Sequence, residues 1–162
     1  VQAEDALEHH WLRSREVSQA KLNKTSRTTK AVNNMRRNSK SSALRRTGLI
    51  ALVFGLAPSK TMNIRSLFQS IDVDNSGSLD MHEFITAIKQ LAPELSEGDV
   101  TTLFHTIDID GNRLISYTEF LAATIDPREI DIEEFSKAFR LLDADGNGFI
   151  DVAELETVSV YM

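Results

Sequence analysis

The feature that most constrains this chain is a twelve-residue loop written three times. Asp72-Val73-Asp74-Asn75-Ser76-Gly77-Ser78-Leu79-Asp80-Met81-His82-Glu83 carries side-chain oxygens at places 1, 3, 5 and 9, a glycine at 6 and a glutamate at 12. Place 7, Ser78, offers its backbone carbonyl. This is how a chain wraps a hard cation in oxygen: short carboxylates first, a sharp turn at the glycine, and a long bidentate carboxylate to close the shell. The second loop has Asp108, Asp110, Asn112, the Leu114 carbonyl, Ser116 and Glu119 at the same places, and the third has Asp143, Asp145, Asn147, the Phe149 carbonyl, Asp151 and Glu154. The loops start at 72, 108 and 143. Together with Asp72, Asp74, Ser76, Asp80 and Glu83 these residues predict calcium binding, with up to three ions.

The three loops are unequal. The first and third each hold four carboxylates, whereas the second holds Asp108, Asp110 and Glu119 and has Arg113 where the glycine belongs. A left-handed turn at a non-glycine residue costs on the order of 1 kcal/mol, and the guanidinium adds a positive charge. The second loop is therefore expected to be the weakest site, by about tenfold.

The repeat extends beyond the loops. Ile64, Leu67, Phe68 and Ile71 precede the first, Val100, Leu103, Phe104 and Ile107 the second, and Phe135, Ala138, Phe139 and Leu142 the third. Each set has the spacing of one helix face, in the same phase each time. Phe84, Phe120 and Leu155 begin the exiting helices. Ser96 with Asp99, and Asp131 with Glu134, have the spacing of a capping box. Place 8 of each loop (Leu79, Ile115 and Ile150) is where paired loops share a short strand.

A different kind of sequence precedes these repeats. Residues 1–60 carry 12 Lys/Arg against 4 Asp/Glu, and residues 61–162 carry 6 against 20. A basic arm joined to an acidic body suggests that one binds the other. From about 29 to 57 a helical pattern with interleaved Arg and Lys predicts a long basic amphipathic helix ending at Pro58, with Leu44, Leu49, Ile50, Val53 and Phe54 as its contacts. Such a helix is the kind of target that calcium-opened helix pairs grip. An ordinary packing helix, a membrane-surface helix and a nucleic-acid patch are the other readings. Gly48 and Gly55 weaken it as a solitary helix and favour order on docking.

Several function classes are excluded or disfavoured. Cysteine is absent, so there is no disulfide framework or thiolate site. The longest apolar run, 48–57, is too short to span a bilayer, and no signal peptide is visible, which fits an intracellular, cytoplasmic setting. His9 and His10 beside Trp11 read as packing, and His82 and His105 share no evident pocket. No Gly-rich phosphate loop, H-R-D or D-F-G motif occurs, so this chain has no catalytic residues of its own.

Ala3-Glu4-Asp5-Ala6-Leu7-Glu8-His9-His10-Trp11 resembles the last helix of a protein kinase catalytic domain. With the basic segment and the loops that follow, the chain resembles the C-terminal region of a calcium-dependent protein kinase of the plant and protist type. The resemblance implies an all-α fold of EF-hand (calmodulin-like) helix-loop-helix repeats. It implies a kinase end at 1–12, an autoinhibitory junction at 13–60, and a calmodulin-like domain at 61–162 with hands at 72–83, 108–119 and 143–154. The family has four hands and this chain three, so the third is left to pair with a missing hand or another chain. The implied partners are the junction helix and the parent kinase domain, with no nucleic acid or membrane contact. Calcium would open the hands and relieve autoinhibition of a serine/threonine kinase. The alternative is a free-standing calmodulin-like sensor or buffer whose basic arm binds another target.

Overall fold

The computed structural model describes residues 26–151 and 153–154. The expected kinase end at 1–12, the segment 13–25 and the side chains of Leu44 and Leu155 lie outside the described residues. The fold is mostly helical. Helix α1 is seen over 26–39, followed by α2 (Ala43–Phe54), α3 (Pro58–Ile71), α4 (Met81–Leu91), α5 (Glu97–Ile107), α6 (Tyr117–Thr124) and α7 (Ile132–Leu142). Strands β1 (Ser78–Leu79) and β2 (Ile115–Ser116) pair antiparallel, Leu79 opposite Ile115 and Ser78 opposite Ser116.

The single long helix expected across 29–57 does not form; α1 and α2 are separate. The reason lies in Ser39, Ser41 and Ser42, short polar side chains that compete with the helical backbone. The Ser41 amide and hydroxyl both donate to the Asn38 carbonyl, at 3.0 and 2.5 Å. Ser42 then caps α2 by accepting from the Arg45 amide. Pro58 occupies the first turn of α3, where its missing N–H is no loss. Both expected capping boxes are present, Ser96 with Asp99 and Asp131 with Glu134.

The main core lies between the first two hands. Phe68, Ile71, Phe84, Ile88, Val100, Phe104, Ile107 and Phe120 are buried together with Leu79 and Ile115 from the strands. Rings meet edge to face, Phe68 with Phe120 at 5.4 Å and Phe84 with Phe104 at 5.6 Å, the geometry aromatic quadrupoles prefer. Val32 and Met35 of α1 belong to the same core. Helix α2 packs against α6 and α7, with Leu49 and Ile50 buried beside Ala122 and Ile125 and with Val53 partly buried at the edge. Phe54 is exposed. At Gly55 the backbone comes so close that an added Cβ would lie 3.1 Å from the Ala138 nitrogen. Lys60 of α3 bridges to Glu134 and, less strongly, to Asp131 at the start of α7, which raises its pKa.

Candidate metal centre

Each loop brings three carboxylates together. Asp72, Asp74 and Glu83 each present an oxygen within 4.8 Å of the others, as do Asp108, Asp110 and Glu119, and Asp143, Asp145 and Glu154. These are places 1, 3 and 12. Three mutually repelling carboxylates held this close form a hard, anionic donor set suited to calcium.

The local backbone explains how they converge. The place 1 carboxylate reaches over the turn to the place 6 amide: Gly77 to Asp72 at 3.1 Å, Arg113 to Asp108 at 3.0 Å, Gly148 to Asp143 at 2.9 Å. The place 3 carboxylate accepts from the place 5 amide, chiefly why Asp74 is held below the usual aspartate range. The place 12 glutamate spans the loop. Glu83 accepts from the amides of Val73 and Asp80, Glu119 from Ile109 and Ser116, and Glu154 from Ala144 and Asp151, all between 2.7 and 3.0 Å.

The remaining expected ligands are also engaged. Ser76 donates its hydroxyl to the Ser78 carbonyl at 2.8 Å. Asn112 and Asn147 accept from the amides of Leu114 and Phe149 at 2.7 Å. Asp80, Ser116 and Asp151 at place 9 accept from the amides of Glu83, Glu119 and Glu154. In the first two hands place 9 and place 12 thus form a capping box at the start of the exiting helix.

Two further features of the loops carry a signal in the sequence that the ligand pattern alone overlooks. Place 4 also takes a left-handed backbone, at Asn75 (φ 57), Gly111 (φ 72) and Gly146 (φ 71), and asparagine and glycine are the residues that accept it. The spacing of places 9 and 12 is itself a capping-box signature. Arg113 adopts φ 69, the strained conformation expected of it. Whether the residues fit an ion can be judged from the buried oxygens. Asp108 Oδ1 and Asp143 Oδ1 are buried and have no hydrogen-bond partner. A buried carboxylate oxygen without a partner is costly unless a cation faces it, so the donor sets of the second and third loops fit, and the first offers the same triad of carboxylates.

Comparison with known proteins agrees. A family model described as an EF-hand domain pair matches residues 61–125, and one described as an EF hand matches 135–159. The chain is 29% identical to calcium-dependent protein kinase 19 of Oryza sativa subsp. japonica over 161 residues, covering 99% of this chain and 29% of the relative. It is 30% identical to calcium-dependent protein kinase 2 of Zea mays over 156 residues, 95% of this chain and 29% of the relative. Calcium-dependent protein kinase 22 of Arabidopsis thaliana is 29% identical over 157 residues, 96% of this chain and 30% of the relative. The chain carries EF-hand domains, and over nearly its whole length it is similar to the named calcium-dependent protein kinases. It spans under a third of the length of these relatives. As an EF-hand region it binds calcium. Among the described residues no helix is long and apolar enough to cross a membrane.

Proposed function

We propose that this chain is the calcium switch of a serine/threonine protein kinase. Three ions bind, one per loop, through the carboxylates of places 1, 3 and 12, the oxygens of Ser76, Asn112 and Asn147, and the carbonyls of Ser78, Leu114 and Phe149. Asp80, Ser116 and Asp151 complete the shells, directly or through water, as place 9 commonly does. Residues 13–60 are the autoinhibitory junction, and calcium-driven opening of the hands changes their hold on it and frees the kinase. The working compartment is the cytoplasm.

What carries this reading is the likeness over nearly the whole chain, basic arm included, to relatives named calcium-dependent protein kinases. The contact of α1 and α2 with the hands supports it: a switch requires the arm and the calcium loops to share one energy balance. The test is hydrogen exchange of the 162-residue chain with calcium and with chelator, beside calorimetric counting of ions. Three ions and a calcium-dependent change in protection over 26–54 are expected. An arm equally protected in both conditions would overturn the switch. Joining the chain to a kinase domain of this type should then make phosphotransfer calcium-dependent.

A further inference from the structure

The buried face of α1 is partly amide. Ala31, Val32 and Met35 supply its apolar part, and Asn34 and Asn38 complete it, Asn38 being 2% exposed. Both amides point at the last turn of α6. Asn34 Nδ2 donates to the Thr124 carbonyl at 2.8 Å. Asn38 Nδ2 lies 2.9 Å from the Ala123 carbonyl, 3.0 Å from that of Ile125 and 3.4 Å from that of Ala122. Between them Arg37 reaches the Asp126 carboxylate at 3.1 Å.

A helix leaves its last four carbonyls without intrahelical partners. Most helices answer with a left-handed glycine or with water; here α6 ends in Ile125 with extended backbone, and another helix supplies the donors. The arrangement is conditional on register. Asn38 Oδ1 is itself buried without a partner, so the register is set by the Nδ2 donors: moving α1 by one turn would bury these donors and the α6 carbonyls unpaired, each at the cost of a desolvated polar group.

We infer that the C-terminal end of α6, with the core beside it, is a docking surface that selects a helix carrying asparagine at i and i+4 and arginine at i+3. Helix α1 is its occupant. A basic amphipathic helix with only apolar anchors leaves the α6 carbonyls unpaired and is rejected. Because α6 is the exiting helix of the second hand, the amides fasten the arm to an element that a calcium loop directly precedes. The inference rests on the reading that the hands hold the arm, and adds which residues they recognise.

The chain has no cysteine, so Asn33→Cys on the outer face of α1 and Thr102→Cys on α5, both exposed, give two unique spin-labelling sites. Double electron–electron resonance then reads the α1–α5 distance in calcium, and calorimetry on the same samples reads the calcium loops. The labelled parent should show one narrow distance. Asn34→Leu and Asn38→Leu should each broaden it, raising the undocked fraction about tenfold, with calcium binding kept. Asn38→Asp, close in shape but unable to donate, should do the same. The exposed Arg36→Leu should leave the distance narrow. A narrow distance in both Asn38 variants, or equal broadening by Arg36→Leu, would overturn the amide recognition while leaving the switch standing. A parent that is broad with and without calcium would overturn both.

Discussion

The first two hands and the third follow the same loop grammar but are buried very differently. In the pair, Leu79 and Ile115 face each other across β1 and β2, and both are fully buried. Phe84, Phe104 and Phe120 are likewise sealed. In the third hand, Ile150 is only partly buried, Phe135 is 50% exposed and Phe149 is 76% exposed. The place 1, 3 and 12 carboxylates cluster within the same distance in all three loops. Loop geometry is thus a local property, set by turns and side-chain caps within twelve residues, whereas a core needs two hands. Helix α7 buries Glu134, Ala138 and Leu142; α2 packs on it, and Ala138 lies close against Gly55.

The largest effect should come from truncating equivalent rings. Phe104→Ala should cost the paired hands about 3–5 kcal/mol, whereas Phe135→Ala in the third should cost under about 1 kcal/mol because half the ring already faces water. Urea unfolding of both variants checks this, and equal losses would erase the distinction between the hands. Next is Gly55→Val. The side chain would press on the Ala138 backbone and should destabilise the α2–α7 contact by about 1–3 kcal/mol, seen as faster hydrogen exchange in α7 with the first pair unchanged. Unaltered exchange in α7 would mean that α2 does not support the third hand.

Arg113→Gly should tighten calcium at the second loop by up to about tenfold, with the fourth carboxylate still missing. Calorimetry with no change in that step would show that the strained turn does not set the affinity. The smallest effect concerns acid. Asp126 is buried and its carboxyl is held far below the usual aspartate range, chiefly by hydrogen bonds from the Arg128 guanidinium, with Arg37 adding attraction. A depressed carboxyl stabilises the fold fully above the ordinary aspartate value near about 3.9 and loses that contribution as pH falls toward its lowered value. The wild-type chain should therefore lose part of its stability below about pH 4, and Asp126→Asn should flatten that part of the curve. Identical acid limbs would remove Asp126 from the account.

Much of the fold and of the candidate site is legible in the sequence. The loops, their carboxylates, the entering faces of the first two hands and the capping boxes at Ser96 and Asp131 follow from local rules acting within a dozen residues, whereas the pairing of Leu79 with Ile115 is read from the repeat, each standing at place 8 of its loop. What stays hidden mostly involves distance. Asn34 and Asn38 look like solvent-facing breaks in an apolar stripe until the end of α6, some 85–90 residues later, is placed beside them. The break at Lys40 to Ser42 is local and readable from its two serines, but the apolar spacing on either side outweighs it. Phe135 fits a core pattern that recurs faithfully in all three hands; its exposure depends on neighbours, which a periodic pattern cannot encode.

The closing glutamates have one more consequence. Each already spans its loop, its two oxygens tied to the second and ninth amides. The lid of each cage is therefore tied to the loop's own backbone, at its entry and at the start of the exiting helix. The message then has to travel as a change in the tilt of the helices it joins, and α6, whose far end lies in the grip of the arm, is the lever best placed to carry it.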